Sequence, residues 1–166
     1  MGYALMRALL VALAVATFAA GPWPAEAAQP SKFAAKDSAE IQDCIKSKPG
    51  KEEACIGIVS EPCLNRDETK STADMNACVD RELAVWDDIL NETFRRLRDK
   101  LDAQQKEKLR DMQRAWIVSK EKTCAFYWDY FQGTMASPMA ASCVNRETAR
   151  RALFLLGFLV DADSSK

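Results

Sequence analysis

Six cysteines, Cys44, Cys55, Cys63, Cys78, Cys124 and Cys143, are the side chains here best able to make or break a covalent bond. None is spaced from another as Cys-x-x-Cys, so the pattern suggests neither a redox-active dithiol nor a zinc knuckle. The chain has no histidine. That removes imidazole-activated serine or cysteine nucleophiles, histidine general bases and histidine metal ligands together. Asp87, Asp88 and Glu92 form a compact acidic group, and paired carboxylates can serve as general acid and base. They fall beside an amphipathic stripe with no pocket motif, so solvation is the expected state. No catalytic residue, cofactor or metal ligand is assigned.

Recognition is better represented. Residues 126–137 carry five aromatics around a turn: Phe126, Tyr127, Trp128, Tyr130 and Phe131. Tyrosine and tryptophan are enriched at binding hot spots, and a disulfide-held loop is preorganised. Trp128, Asp129 and Tyr130 are therefore candidate partner contacts, with Asp87, Asp88 and Glu92 as an acidic patch for a cationic partner. The competing reading packs Tyr127 and Phe131 inward, with Trp128 and Tyr130 merely covering the turn.

The N-terminus reads as an export signal. Arg7 precedes an uncharged Ala/Leu/Val-rich run over 8–20, helix breakers follow at Gly21, Pro22 and Pro24, and Ala25-Glu26-Ala27 offers a cleavage site. Residues 1–27 are expected to be removed and 28–37 to form a flexible leader. Arg7 and Glu26 leave together, so the mature chain keeps the net charge of −1. That balance supplies no field for nucleic acid. An even number of cysteines in an exported chain implies three disulfides. Pairing nearest neighbours, 44 with 55, 63 with 78 and 124 with 143, would staple three successive joints, although six cysteines allow fifteen connectivities.

The positioning elements read as all-α. Two short helices are expected over 38–48 and 51–60, within an N-terminal extension ending at 62. Thr72 is expected to cap a long helix whose stripe Met75, Val79, Leu83, Trp86, Leu90, Phe94, Leu97 and Leu101 follows the helical period. Arg81, Asp88, Arg95 and Asp99 fall on its solvated face. Asp102 and Gln105 suggest a capping box opening a second long helix with Leu109, Met112, Trp116, Cys124, Tyr127 and Phe131. The short joint between the two predicts a long antiparallel hairpin. Gly133 ends the second helix, Ser137-Pro138 opens the C-terminal one, and 161–166 reads as a polar tail. The apolar run of that last helix is too short to span a bilayer.

Leu90-Asn91, Phe94 and Leu97, then Leu109-Arg110, Gln113-Arg114-Ala115-Trp116-Ile117, Cys124, Gly133, Cys143 and Thr148-x-x-Arg151 form a set that resembles the lysozyme inhibitor LprI-like N-terminal domain family of exported bacterial proteins. The resemblance covers about 63–156, within a helical domain expected over 63–160, and the Cys63 to Cys78 segment fits the family's upstream cysteine pair. Departures are Lys120-Glu121 where the family has Arg-Asp, Gly133-Thr134 where it has Gly-Ser, and the Cys44/Cys55 extension. The resemblance implies an exported, non-enzymatic binding protein of the periplasm or medium, acting by contact with a lysozyme. The alternative is a non-catalytic cell-envelope adaptor for another protein. The motif residues Leu90, Asn91, Gln113, Arg114, Trp116, Gly133, Thr148 and Arg151 read as structural: Trp86 and Trp116 as core, Asn91 and Gln113 bridging the paired helices, Arg114 and Arg151 in ion pairs with Asp87, Asp88 or Glu147.

Overall fold

The computed structural model describes residues 34–164, which form helices and turns with no strand among them. The expected signal peptide, residues 28–33 of the leader and the last two residues of the tail lie outside the described residues. The elements are α1 (Ala34–Ser47), one 3-10 turn (Glu52–Cys55), α2 (Ser60–Leu64), α3 (Thr72–Lys100), α4 (Ala103–Phe131) and α5 (Ala136–Ser164). Among the described residues no helix is long and apolar enough to cross a membrane.

Local chemistry sets the boundaries. Ser71 and Asp74 form a reciprocal capping box at the start of α3, so the N-cap lies one residue before the expected Thr72. Asp102 and Gln105 form the expected box at the start of α4. Gln132 (φ 36°) and Gly133 (φ 101°) turn the chain out of α4, the latter in a region open chiefly to glycine. α5 then begins at Ala136, so Ser137 lies inside its first turn, where its hydroxyl accepts a hydrogen bond from Asn76 Nδ2 at 2.7 Å. The second expected short helix is instead the 3-10 turn plus α2, and Pro62 lies within α2.

The helices are not arranged around an α3–α4 pairing. α5 packs against α3 most extensively and against α4 next, whereas α3 and α4 run in opposite directions without pairing along their lengths. Ties from Asn76 to Ser137, Glu82 to Asn145 and Lys100 to Asp163 make α3 and α5 parallel. Ties from Cys124 to Cys143 and Gln113 to Arg151 make α4 antiparallel to α5. The reason is compositional: Ala149, Ala152, Leu155 and Leu159 are buried in one core with Trp86, Leu90, Leu97 and Leu109, so α5 carries the face that both partners need. Beyond its joint with α3, α4 buries little else than Leu109 and Cys124.

α1 begins inside the expected leader, and Asp37 in its first turn is buried against Arg81, with Nη2 to Oδ1 at 2.7 Å and Nε to Oδ2 at 3.0 Å. Arg81 therefore belongs to a bidentate pair rather than to the solvated face of α3. α5 likewise continues through most of the expected polar tail, to Ser164. The three disulfides are Cys44–Cys55, Cys63–Cys78 and Cys124–Cys143, the nearest-neighbour set.

The Cys44–Cys55 bond closes a short loop, so its loss in a Cys44→Ala/Cys55→Ala variant is expected to lower stability by about 3 kcal/mol through loop-closure entropy. Urea unfolding of the two proteins checks this; equal midpoints would mean that the bond constrains nothing.

Candidate functional site

The most heavily coordinated side chain is one that the sequence does not single out. Glu82 of α3 has no exposed surface. Its Oε1 accepts from Gly57 N (2.7 Å), Asn145 Nδ2 (3.0 Å) and Trp86 Nε1 (3.1 Å). Its Oε2 accepts from Ser60 N (2.8 Å), Ser60 Oγ (2.9 Å) and Val59 N (3.0 Å). Loss of solvation pushes the carboxyl up, but the bonds from Asn145, the Ser60 and Gly57 amides and the Ser60 hydroxyl outweigh it and hold it below its ordinary 4.5. Glu82 thereby fastens the extension to α3 and α5. Gly57 adopts φ 101°, and a Cβ there would meet the Glu61 carboxyl group, so the turn presenting these amides requires glycine.

At the far end of α4 the aromatics gather. Past Cys124 every residue of the helix except Tyr127 is exposed, with Phe126, Trp128 and Tyr130 showing 61%, 55% and 70% of their surface. Tyr127 is half-buried, and its hydroxyl accepts a hydrogen bond from Arg146 Nη2 at 3.1 Å. Phe131, expected inward, is exposed and meets Tyr127 and Tyr130 at ring-centre distances of 5.6 and 5.1 Å. Phe126, Tyr127, Tyr130 and Phe131 surround a depression of about 250 Å³. Successive helical residues turn by about 100°, so these rings cover several sides of the helix end rather than one face. Between Lys122 and Arg146 the only charged residue is Asp129. The Cys124–Cys143 bond anchors this tip to α5.

The motif residues separate into three settings. Gln113, Trp116 and Arg151 meet at the α4–α5 seam: Arg151 Nε donates to Gln113 Oε1 at 2.8 Å, and its guanidinium lies 5.6 Å from the Trp116 ring and 5.1 Å from Phe154. Gln113 thus bridges α4 to α5, not to α3. Arg151 is buried between aromatic faces with no carboxylate partner among the described residues, which corrects the expected ion pair; burial lowers its pKa. Thr148 is buried one turn away. Lys120 Nζ sits 4.6 Å over the Trp116 ring, a cation–π contact. Leu90 is core, and Gly133 shapes the turn before α5. Arg114 and Asn91 face outward, Arg114 toward Asp111 at 3.5 Å and Asn91 toward Asp87 at 2.9 Å on its own helix.

Asp87, Asp88 and Glu92 are solvated midway along α3. Glu92 pairs with Arg95 at 2.6 Å, and Asp88 and Glu92 line a groove shared with Ser38 and Gln42 of α1. The fold does not bring them to the aromatic tip. Asp88 is twelve residues along α3 from Asn76, which marks the tip's end of the bundle, a rise of roughly 18 Å. Among the described residues no group of three or more His, Cys, Asp or Glu side chains could hold a metal ion.

A family model described as lysozyme inhibitor LprI matches residues 63–155. No curated protein and no solved structure matches the chain.

Because the folded pKa of Glu82 lies below its unfolded one, ionised Glu82 stabilises the fold fully above about pH 4.5, and this contribution fades as the pH falls through the folded value. Glu82→Gln is expected to cost about 3 kcal/mol at neutral pH, since charge-assisted bonds become neutral and one acceptor becomes a donor facing donors. It should also flatten the acid limb of the stability curve. Urea unfolding across pH reads both, and an acid limb identical to the parent's would assign that limb to other carboxylates.

Proposed function

This chain belongs to the lysozyme inhibitor LprI family, and from that membership we propose that it is an exported, non-enzymatic binding protein that inhibits a lysozyme by direct contact. The observation that carries the reading is the aromatic end of α4. Leaving Phe126, Trp128 and Tyr130 in water forfeits the hydrophobic stabilisation their burial would bring. The neighbouring disulfide fixes the helix end, so little conformational freedom is left to lose on binding. A projecting knob with rings on several sides suits a concave receptor, and an enzyme's substrate cleft is such a surface. Asp129 supplies the one negative charge that would face a cationic enzyme. Asp87, Asp88 and Glu92 would act at a distance, steering the approach in a salt-sensitive way.

The test is a titration of the oxidised, folded protein into lysozyme digesting peptidoglycan. Stoichiometric inhibition is expected, with loss on reduction. The Trp128→Ser/Tyr130→Ser variant should lose inhibition while its unfolding free energy stays within about 0.5 kcal/mol of the parent, as for exposed positions. A folded sample that inhibits no lysozyme type would overturn this reading in favour of a cell-envelope adaptor with another protein partner.

A further inference from the structure

The end of the bundle where α3 passes into α4 carries an apolar groove of about 380 Å³. Leu97 and Leu101 from the end of α3, Leu109 and Met112 of α4, and Phe158 and Ala162 of α5 line it. Phe158 keeps 49% of its surface exposed and meets the equally exposed Phe154 ring edge-on at 5.1 Å, so the aromatic wall continues along α5. Two polar side chains complete the lining, Gln105 and Lys108, three residues apart on one face of α4. Both present donors. The Gln105 carbonyl Oε1 accepts from Asp102 N at 3.1 Å, which leaves its amide Nε2 to donate elsewhere. Lys108 is exposed and joins no ion pair among the described residues. No carboxylate lines the groove: Asp161 and Asp163 flank Ala162 in sequence but stand outside the lining, and Asp163 is paired with Lys100.

An occupant matching this lining has a hydrocarbon body and an anionic head that only accepts hydrogen bonds. The volume lies in the range of roughly 300–1,000 Å³ typical of small-molecule pockets. A methylene takes about the space of a water molecule, roughly 30 Å³, so the groove holds one chain of about ten to twelve carbons. We propose that it binds the alkyl chain of a free medium-chain fatty acid, whose carboxylate meets Lys108 Nζ and Gln105 Nε2. Chain burial supplies the affinity, because each methylene removed from water tightens binding about fourfold. The head supplies the selectivity: a cationic head would face Lys108, and a neutral alcohol forgoes the charge-assisted bond. About 18 residues of α4, a rise of roughly 27 Å, separate Lys108 from Phe126. The groove is therefore distinct from the aromatic tip, and the proposal does not rest on lysozyme inhibition.

The experiment is an NMR titration of the oxidised, 15N-labelled protein with sodium octanoate below its micellar concentration. Saturable shifts of the Gln105, Lys108, Leu109 and Phe158 backbone amides are expected. Decanoate, two methylenes longer, should bind about sixteenfold more tightly. Octanol and octyltrimethylammonium, with the same chain as octanoate, should bind about tenfold more weakly than it does. Lys108→Gln should bring octanoate close to the affinity of octanol and leave octanol unchanged, with the rest of the spectrum intact to show that the fold persists. Phe158→Ser should weaken octanoate and octanol alike. No saturable shift, equal affinity for the three octyl compounds, affinity indifferent to chain length, or shifts confined to the aromatic tip would each overturn the proposal. So would shifts produced by phosphatidylglycerol vesicles and not by free octanoate, which would make the groove a membrane contact.

Discussion

A carboxylate with no exposed surface must be answered by donors, and Glu82 is answered by Gly57, Val59, Ser60, Trp86 and Asn145. The bonds come from the extension, from α3 itself and from α5, so one side chain sets the relative position of three segments. Burying an ion is tolerable only with such saturation, which makes the arrangement cooperative: each donor is placed by the others. The positive φ of Gly57 turns the backbone amides inward, and Ser60 contributes both its amide and its hydroxyl.

Two other buried charges mark the rest of the frame. Asp37 and Arg81 join the first turn of α1 to α3 by a bidentate pair. Arg151, roughly 120° around α5 from Asn145, is held by Gln113 and aromatic faces instead of an anion. α5 thus answers an anion of α3 with Asn145 and presents its own cation, Arg151, to α4, which favours α5 in the middle of the three long helices. The aromatic tip inherits its position from this layout, since α4 is supported on one side only and projects past its last buried residue, Cys124.

Much of this was legible in sequence. The helical period of 75–101, the Asp102–Gln105 box and the nearest-neighbour cysteines each depend on residues a few positions apart. What was not legible depends on distant partners. Glu82 reads as one more acid on an amphipathic helix, and only the glycine at 57, the serine at 60 and the asparagine at 145 give it meaning. Asp37 hides for the same reason, in a polar, Ala-rich stretch without period, and Arg151, though marked as a motif residue, was given an ionic partner in place of Gln113. The short joint at Leu101–Asp102 suggested paired neighbours, but two helices joined tightly need not share a face when a third offers a more apolar one. At the tip, the aromatics that stand together in sequence also gather at the end of α4, and Phe131, expected inward, lies outside with them.

The disulfides span 11, 15 and 19 positions, while the α3–α5 ties span 61 and 63. No covalent bond crosses the largest interface of the molecule. Oxidation can therefore proceed within each local segment before the helices dock, and the crosslinked chain retains its freedom to search for the α3–α5 register. Assembly becomes a modular process: thiol chemistry prepares separate staples, and a noncovalent docking step, reversible without breaking any of them, brings them together.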